Sequence, residues 1–327
     1  MWALTSSISP RFTSMTTPRL FLVADIGGTN TRVGLANENG LIETSTRRYK
    51  NAENQSFQTV VEKFLTESQP GKLDGACAGA AGLVADGVAQ MTNLDWEIDR
   101  SVIARVTGAP VVDVINDLQA QGYALDDLPA NSLRPLIEGA GPAAGPRLVI
   151  GLGTGFNIVP VHQDLGRLIV PSCEAGHSTV PYRADLATLY AKLETKLGRV
   201  TVEWALAGQG LENLYEAHAD DHQAAGGIME LVAKEDPTAL AAVADYMTIL
   251  GTVTGDLALS HLPYGGIYFT GGVARAVTPY FERFDFAKSF KDKGEFHDLV
   301  AGFDVTLIDD DFAALKGCAR YLKQIVE

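Results

Sequence analysis

Five short segments carry the residue types that phosphate and hydroxyl chemistry requires. The first, Asp25-Ile26-Gly27-Gly28-Thr29-Asn30-Thr31-Arg32, ends a strand-like run near an acid and turns on a glycine pair. Paired glycines let a backbone approach a bulky anion, and Thr29 and Asn30 add hydroxyl and amide donors. Asp25 can hold a Mg2+ through water beside that anion. Taken alone, the segment reads equally well as an ordinary hairpin turn. The second, Gly151-Leu152-Gly153-Thr154-Gly155, also lies between two strand-like runs. A dinucleotide fingerprint would need glycine where Phe156 stands, and a helix where Phe156-Asn157-Ile158-Val159 reads as a strand. Neither turn has the GxxxxGKS/T form, so a P-loop is excluded. A GxGTG hairpin turn facing the first one would clamp a phosphate chain from the other side.

Asn116-Asp117 is the third segment, at the end of a strand-like run and the start of a helical one. Ligands gather at such strand ends in α/β proteins, and a carboxylate there can accept a hydroxyl proton during phosphoryl transfer. Both residues are also good N-caps, which is the plainer reading. The fourth is Glu174-Ala175-Gly176-His177, with Cys173 beside it. A closed zinc site needs four ligands and the others are missing, whereas a Glu and a His together suit sugar hydroxyls. Cys173 is either a reactive thiol or a small space-filling side chain. Glu203, in Val202-Glu203-Trp204-Ala205-Leu206, reads by itself as part of a solvated helix face, and His218 and His222 read as a surface pair. The fifth segment is Gly271-Gly272 after Tyr268-Phe269-Thr270, where backbone without side chains can lie against a flat base or ribose.

The elements that must position these segments follow from periodicity. Leu20 to Ile26 is an apolar run, and the runs Thr31 to Ala36 and Ile42 to Tyr49 alternate across Asn39-Gly40, a hairpin signal. Ser56 to Ser68 repeats Phe57, Val60, Val61, Phe64 and Leu65 at helical spacing. A small-residue strand at Gly75 to Ala81, a hairpin about Asp86-Gly87, a helix capped by Asp99, and a strand from Pro110 to Ile115 come next. The Pro-, Gly- and Ala-rich stretch from Asp126 to Pro146 reads as a connection. Strand, turn and strand then recur, followed by helices at Ala184 to Leu197, Val202 to Ala207 and Thr238 to Leu262. A strand at Gly266 to Thr270, another at Val305 to Ile308 and a helix from Phe312 to Ile325 close the chain. A strand–hairpin–helix–strand–helix pattern is thus played twice.

With 327 residues and 46% hydrophobic content, the chain is long enough for two cores. Its net charge of −14 argues against nucleic acid or an anionic membrane as partner, and no apolar run is long enough to span a bilayer. Three scattered cysteines, Cys77, Cys173 and Cys318, fit a reduced, cytoplasmic protein. A polyphosphate ligand would have to find its positive charge in backbone N–H groups and a divalent cation.

The order of the five segments closely resembles the bacterial glucokinase family of the hexokinase–actin–heat-shock ATPase superfamily. Met91-Thr92-Asn93 with Trp96, Ala207-Gly208-Gln209-Gly210-Leu211, and Asp292-Lys293-Gly294 with Phe296 extend the likeness from about Leu20 to the C-terminus. The resemblance implies an α/β, actin-like (ribonuclease H-like) fold of two domains with mixed sheets and a cleft between them. It implies a small domain over 19–125 joined by the last helix (about 312–327) and a larger domain over 126–311, while the Ser/Thr-rich segment 1–18, which the likeness omits, reads as a disordered leader. It further implies ATP-dependent phosphorylation of glucose on its 6-hydroxyl with Mg2+, in a homodimer, by an enzyme without nucleic-acid or membrane partners. Asp117 would be the base, and Asn116, Glu174, His177 and Glu203 would contact the sugar. Asp25, Gly27, Gly28, Thr29 and Asn30, together with Gly153, Thr154 and Gly155, would form the phosphate loops. Gly271 and Gly272 would serve adenosine, and Asp25 would hold Mg2+ through water.

The chain departs from the family pattern at three places. Phe156-Asn157 replaces a more usual Leu-Gly pair, Ser178-Thr179 replaces an acidic or aromatic continuation, and Asp309-Asp310-Asp311 with a single Gly317 replaces a Gly-rich stretch near the nucleotide. These bear on nucleotide and sugar preference and leave the base untouched. A kinase for another hexose is the neighbouring alternative. A sugar-sensing regulator would not need Asp117 and both loops, and a filament or chaperone ATPase has no need of Asn116, Glu174 and His177 together.

Overall fold

The computed structural model describes residues 19–91, 94–142, 144–219 and 221–326. The leader over 1–18 and the Thr92-Asn93 pair lie outside the described residues. The chain begins with an antiparallel meander, β1 (Phe21–Ile26), β2 (Asn30–Asn37) and β3 (Gly40–Lys50). The helix α1 (Phe57–Ser68) follows, capped by Ser56, whose Oγ accepts from the Thr59 amide at 3.3 Å. β4 (Gly75–Ala80) then runs parallel to β1. A small antiparallel sheet comes next, of β5 (Gly82–Ala85), β6 (Val88–Met91) and β7 (Glu97–Asp99). Asp99 caps α2 (Arg100–Thr107), as its position in the sequence predicts, and β8 (Val112–Asn116) leads directly into α3 (Asp117–Ala124).

The second half opens on β9 (Leu133–Ile137) and repeats the meander as β10 (Arg147–Leu152), β11 (Phe156–Asp164) and β12 (Arg167–Ile169). Five helices follow: α4 (Ala187–Leu197), α5 (Val202–Leu206), α6 (Gly208–Ala219), α7 (Ala225–Ala233) and α8 (Pro237–His261). Then come β13 (Ile267–Thr270), α9 (Gly272–Val277), α10 (Phe286–Lys291), α11 (His297–Ala301), β14 (Val305–Ile308) and the closing α12 (Ala313–Val326). The sheet orders are β3-β2-β1-β4-β8 and β12-β11-β10-β13-β14-β9, so the same arrangement of meander and parallel strands occurs twice. This is the mixed-sheet α/β architecture expected of an actin-like chain.

Period-two alternation decides which helices cover which face. Leu22, Ala24 and Ile26 of β1 pack with Phe57, Val60, Val61 and Phe64 of α1, while Phe21 and Val23 face Leu118, Ala120, Leu315 and Cys318. In the second sheet Leu148, Ile150 and Leu152 face the α4–α8 side, and Val149 faces α3 and α12. The helices α3 and α12 therefore share a core drawn from both sheets. Strands covered on both faces lose polar alternation, which is why β1 and β10 read as apolar runs. Among the described residues no helix is long and apolar enough to cross a membrane.

One expectation needs correction, and one glycine finds its place. The stretch from Asp126 to Pro146 is not only a connection, because β9 lies within it and pairs antiparallel with β14. β9 contains Pro135 and occupies the sheet edge, the place where a residue without an N–H is tolerated, and its Pro-rich flanks hid it. Gly317 is not a nucleotide-loop glycine. It lies inside α12, where a side chain would run into the Ala120 carbonyl of α3. Glycine there lets the two helices touch backbone to backbone.

Candidate active site at the facing strand ends

The first turn is built by β1, β2 and a residue that the sequence did not single out. Gly27 N donates to Asn30 O at 3.1 Å, closing the turn. Asn51, just past β3 and 2% exposed, holds it from behind. Its Nδ2 donates to Gly27 O at 2.8 Å and Gly28 O at 3.1 Å, its Oδ1 accepts from Thr31 Oγ1 at 2.8 Å, and its amide donates to Thr29 O at 2.9 Å. A buried Asn must satisfy its polar atoms, and this one does so on the turn alone. Gly28 and Thr29 remain exposed, so the outer face of the turn is open to a ligand. Arg48 Nε donates to Asn30 Oδ1 at 3.0 Å, leaving the Asn30 amide hydrogens outward.

Asp25 sits across the strand pair from Arg32, whose Nη1 lies 3.2 Å from its Oδ2. Burial pushes the Asp25 carboxyl up and Arg32 pulls it down. Arg32 is a cation the sequence reading left without a role, and strand register is what brings it to the carboxylate.

Asn116 does what its N-cap reading foresaw. Its Oδ1 accepts from Leu118 N at 2.9 Å and Gln119 N at 3.4 Å, and Gln119 Oε1 accepts in return from Asn116 N at 3.1 Å. Nδ2 donates to Gly82 O at 3.1 Å, which leaves one amide hydrogen for a ligand. Asp117 opens α3. Its Oδ1 accepts from Leu118 N at 2.9 Å, and among the described residues no cation pairs with it. Its carboxyl is pushed up to about 6, first by burial and then by the charge of Asp25, with a smaller push from Glu174, while backbone N–H groups act against the rise. Three carboxyls from β1, α3 and the Glu174 segment thus share one electrostatic space. Gln119 Nε2 also donates to Val170 O at 2.7 Å, and Gln121 accepts from Thr270, so α3 is tied to the second half on two sides.

The second turn is closed by Gly153 N donating to Gly155 O at 2.9 Å, with Thr154 and Gly155 exposed. It is held from outside itself. Gly208 N donates to Gly153 O at 2.9 Å, Phe156 N donates to Glu203 Oε2 at 3.1 Å, and that carboxylate lies against Gly155. Glu203 is therefore half-buried on the turn rather than on a solvated face. Gly271, at φ 105° and backed onto the Leu152 carbonyl, has neither the backbone conformation nor the space for a side chain.

Glu174 and His177 flank the short 3-10 turn Ala175–His177 and are both exposed. The departures beside them have structural work to do. Thr179 bridges to Thr201, Ser178 O accepts from Val202 N at 2.9 Å, and Thr201 caps α5 through Trp204 N at 3.2 Å. These contacts bring Glu203 next to the Glu174 segment. Asn157 donates to Cys173 O and accepts from Ala175 N at 3.1 Å.

The five segments therefore converge where the carboxyl ends of β1, β8, β10 and β13 meet, the expected ligand position in a parallel α/β sheet. Other candidates lie elsewhere. His218 and His222 pair with Asp245 (2.8 Å) and Glu216 (4.0 Å) rather than with each other. Asp309 and Asp311 hold Arg275 of α9 at 2.8 and 3.2 Å, and Asp310 pairs with Lys316 at 2.8 Å. A cavity of about 440 Å³ beside α12 and the β2–β3 turn contains none of the site residues. Among the described residues no cluster of three or more His, Cys, Asp or Glu side chains can hold a metal ion.

Known proteins share this arrangement over nearly the whole chain. A family model described as glucokinase matches residues 22–325. A glucokinase of Yersinia pestis (strain Pestoides F) is 32% identical over 316 residues, spanning 93% of this chain and 96% of the relative. The crystal structure of a glucokinase from an Antarctic psychrotroph superposes with a TM-score of 0.84 at 28% identity, covering 93% of this chain and 98% of that one. A Balamuthia mandrillaris glucokinase in complex with glucose superposes at 0.76 over 95% of both chains, and at 21% identity that likeness is one of fold.

Proposed function

The chain belongs to the glucokinase family and is a glucose kinase, and we propose that it transfers the γ-phosphoryl group of ATP to the 6-hydroxyl of D-glucose with Asp117 as general base. The observation that carries the role of Asp117 is its carboxyl, unpaired by any cation among the described residues and raised to about 6 by burial and two neighbouring acids. Such a group is ionised at neutral pH yet basic enough to accept a proton. As O6 bonds to the γ-phosphorus, its proton passes to the Asp117 carboxylate and the bond from γ-phosphorus to the ADP oxygen breaks.

In this reading the remaining amide hydrogen of Asn116, the Glu174 and Glu203 carboxylates and the His177 imidazole fix the sugar hydroxyls. The turns Gly27–Asn30 and Gly153–Gly155 approach the phosphates from opposite sides, and Gly271-Gly272 lies against adenosine. Arg32 adds a fixed cation, which eases the charge problem of an acidic chain. Among the described residues Asp25 Oδ1 has no protein partner, and its burial is only partly offset by Arg32, so the site suits a cation held through water. A Mg2+ bound there with ATP would neutralise phosphate charge. We take 19–125 with the last helix as one domain and 126–311 as the other, closing on glucose to exclude water. We also take the enzyme to be a cytoplasmic homodimer, which light scattering checks.

The test is ADP release from Mg·ATP against a panel of hexoses, with Asp117→Ala as control. We expect glucose-selective turnover, reduced about a thousandfold in the variant while glucose binding survives. Unchanged turnover in Asp117→Ala overturns the base, and selective turnover of another hexose moves the substrate.

A further inference from the structure

From the contacts of Asn157 we infer that this residue positions the Glu174–His177 segment for the sugar and couples it mechanically to the second phosphate turn. The inference rests on the kinase reading above and deepens it. Asn157 stands two residues past Gly155, opposite Gly151 in the β10–β11 ladder. Its side chain turns away from that ladder and staples a different segment. Nδ2 donates to Cys173 O, and Oδ1 accepts from Ala175 N at 3.1 Å and from Ile158 N at 2.9 Å. The carbonyl before Glu174 and the amide after it are thus both held by one amide group. On the other flank the His177 amide returns to Glu174 O at 3.2 Å, Ser178 Oγ donates to Ala175 O at 2.6 Å and Arg199 Nη2 donates to His177 O at 2.9 Å, so Asn157 is the side chain that brackets Glu174 itself.

The adjoining positions work in series. Gly155 lies against the Glu203 carboxylate, the Phe156 amide donates to it, and the Phe156 ring is anchored in the core at 2% exposure. A nucleotide drawing Gly153–Gly155 inward therefore pulls on the strand end that carries both Glu203 and the staple on Glu174. A glycine at 157, the residue the family pattern shows there, makes neither bond. Asn157 is a positioning residue: it acts through Glu174 and His177 rather than on the reacting atoms.

The experiment measures glucose affinity by intrinsic fluorescence, for which Trp204 is a ready reporter, 43% exposed and next to Glu203. Wild type, Asn157→Gly and Asn157→Ala are titrated with glucose, with and without Mg·ADP, and with Mg·ADP alone. Losing both bonds should weaken glucose binding about tenfold and leave Mg·ADP affinity within about twofold. Because coupling between two ligands is reciprocal, the tightening of glucose by Mg·ADP should shrink toward none in both variants. Unchanged glucose affinity overturns the inference. So does a parallel fall in both affinities together with melting temperature, which marks a merely structural role. Asn157→Ala guards against backbone loosening specific to glycine, and disagreement between the two variants assigns the effect to glycine and also overturns it. Wild-type protein that binds no glucose removes the kinase reading itself, a failure visible before any variant is compared.

Discussion

The Gly27–Asn30 and Gly153–Gly155 turns, both assigned to phosphate in the proposed reading, occupy corresponding places in their sheets and have opposite means of support. The first is held by Asn51, a residue of its own sheet, whose side chain and amide are spent on Gly27, Gly28, Thr29 and Thr31. The second has no such internal brace. It is held by Gly208, by Glu203 from α5, and through Asn157 it holds the Glu174 segment in turn. In the proposed reading one turn is a preformed anion cradle, and the other is braced by the residues assigned to the sugar. On that reading the duplication visible in the sheet order serves two purposes: a static nucleotide site and a site where nucleotide and sugar feel each other.

The largest test of this contrast is Glu203→Ala. It should unfasten the second turn and strip a sugar contact at once. We expect kcat/KM for glucose to fall about a hundredfold, with KM for ATP rising as well, because the Phe156 amide loses a charged acceptor. A change confined to the glucose KM would show that the turn stands without the carboxylate. Asn51→Ala should be milder and one-sided. It should raise KM for ATP about tenfold and leave glucose affinity unchanged. Stability should fall by about 1–3 kcal/mol, because buried turn groups lose their partners. An equal effect on glucose affinity would erase the proposed distinction between the turns.

The same contrast separates what was legible in the sequence from what was not. Local signals sufficed where one segment makes its own structure: the Asn39-Gly40 hairpin, the Asp99 cap, the glycine turns, and the apolar runs that become β1 and β10. Signals failed where a contact joins residues distant along the chain. Asn51 looks like any polar residue at a strand end, and its importance lies in four contacts to a turn more than twenty residues earlier. Glu203 reads as a solvated acid because the Phe156 amide is invisible from Val202–Leu206. The family resemblance promoted Glu203, marked Asn157 only as a departure from its pattern, and said nothing of Asn51. Gly317 reads in the sequence only as part of a departure from the family pattern, and its use in the α3–α12 contact is another long-range fact the local sequence does not show. β9 was lost because edge strands tolerate the residues that mark loops.

Between the two turns stands Asp117, and its charge provides the smallest and most diagnostic effect. Asp25 in the first half has Arg32 at 3.2 Å, while Asp117 feels the charges of Asp25 and Glu174 with no paired cation among the described residues. Its carboxyl, ordinarily near 3.8, titrates at about 6 in the fold. The folded chain thus binds a proton more readily than the unfolded one, and between these two pH values stability falls as pH rises. Above about 6 the penalty is full and constant, and below about 4 it is absent. A shift of this size sets a ceiling of about 3 kcal/mol, and the solvent-open cleft should reduce it to about 1 kcal/mol. Asp117→Asn keeps an acceptor for Leu118 N and removes the charge. It should therefore melt higher than wild type at pH 8 and alongside it at pH 4. Wild-type kcat/KM should fall about tenfold per pH unit below about 6, as the base becomes protonated. If the two proteins melt together at pH 8, the fold does not raise the Asp117 carboxyl, and neither burial nor the neighbouring acids act on it as proposed.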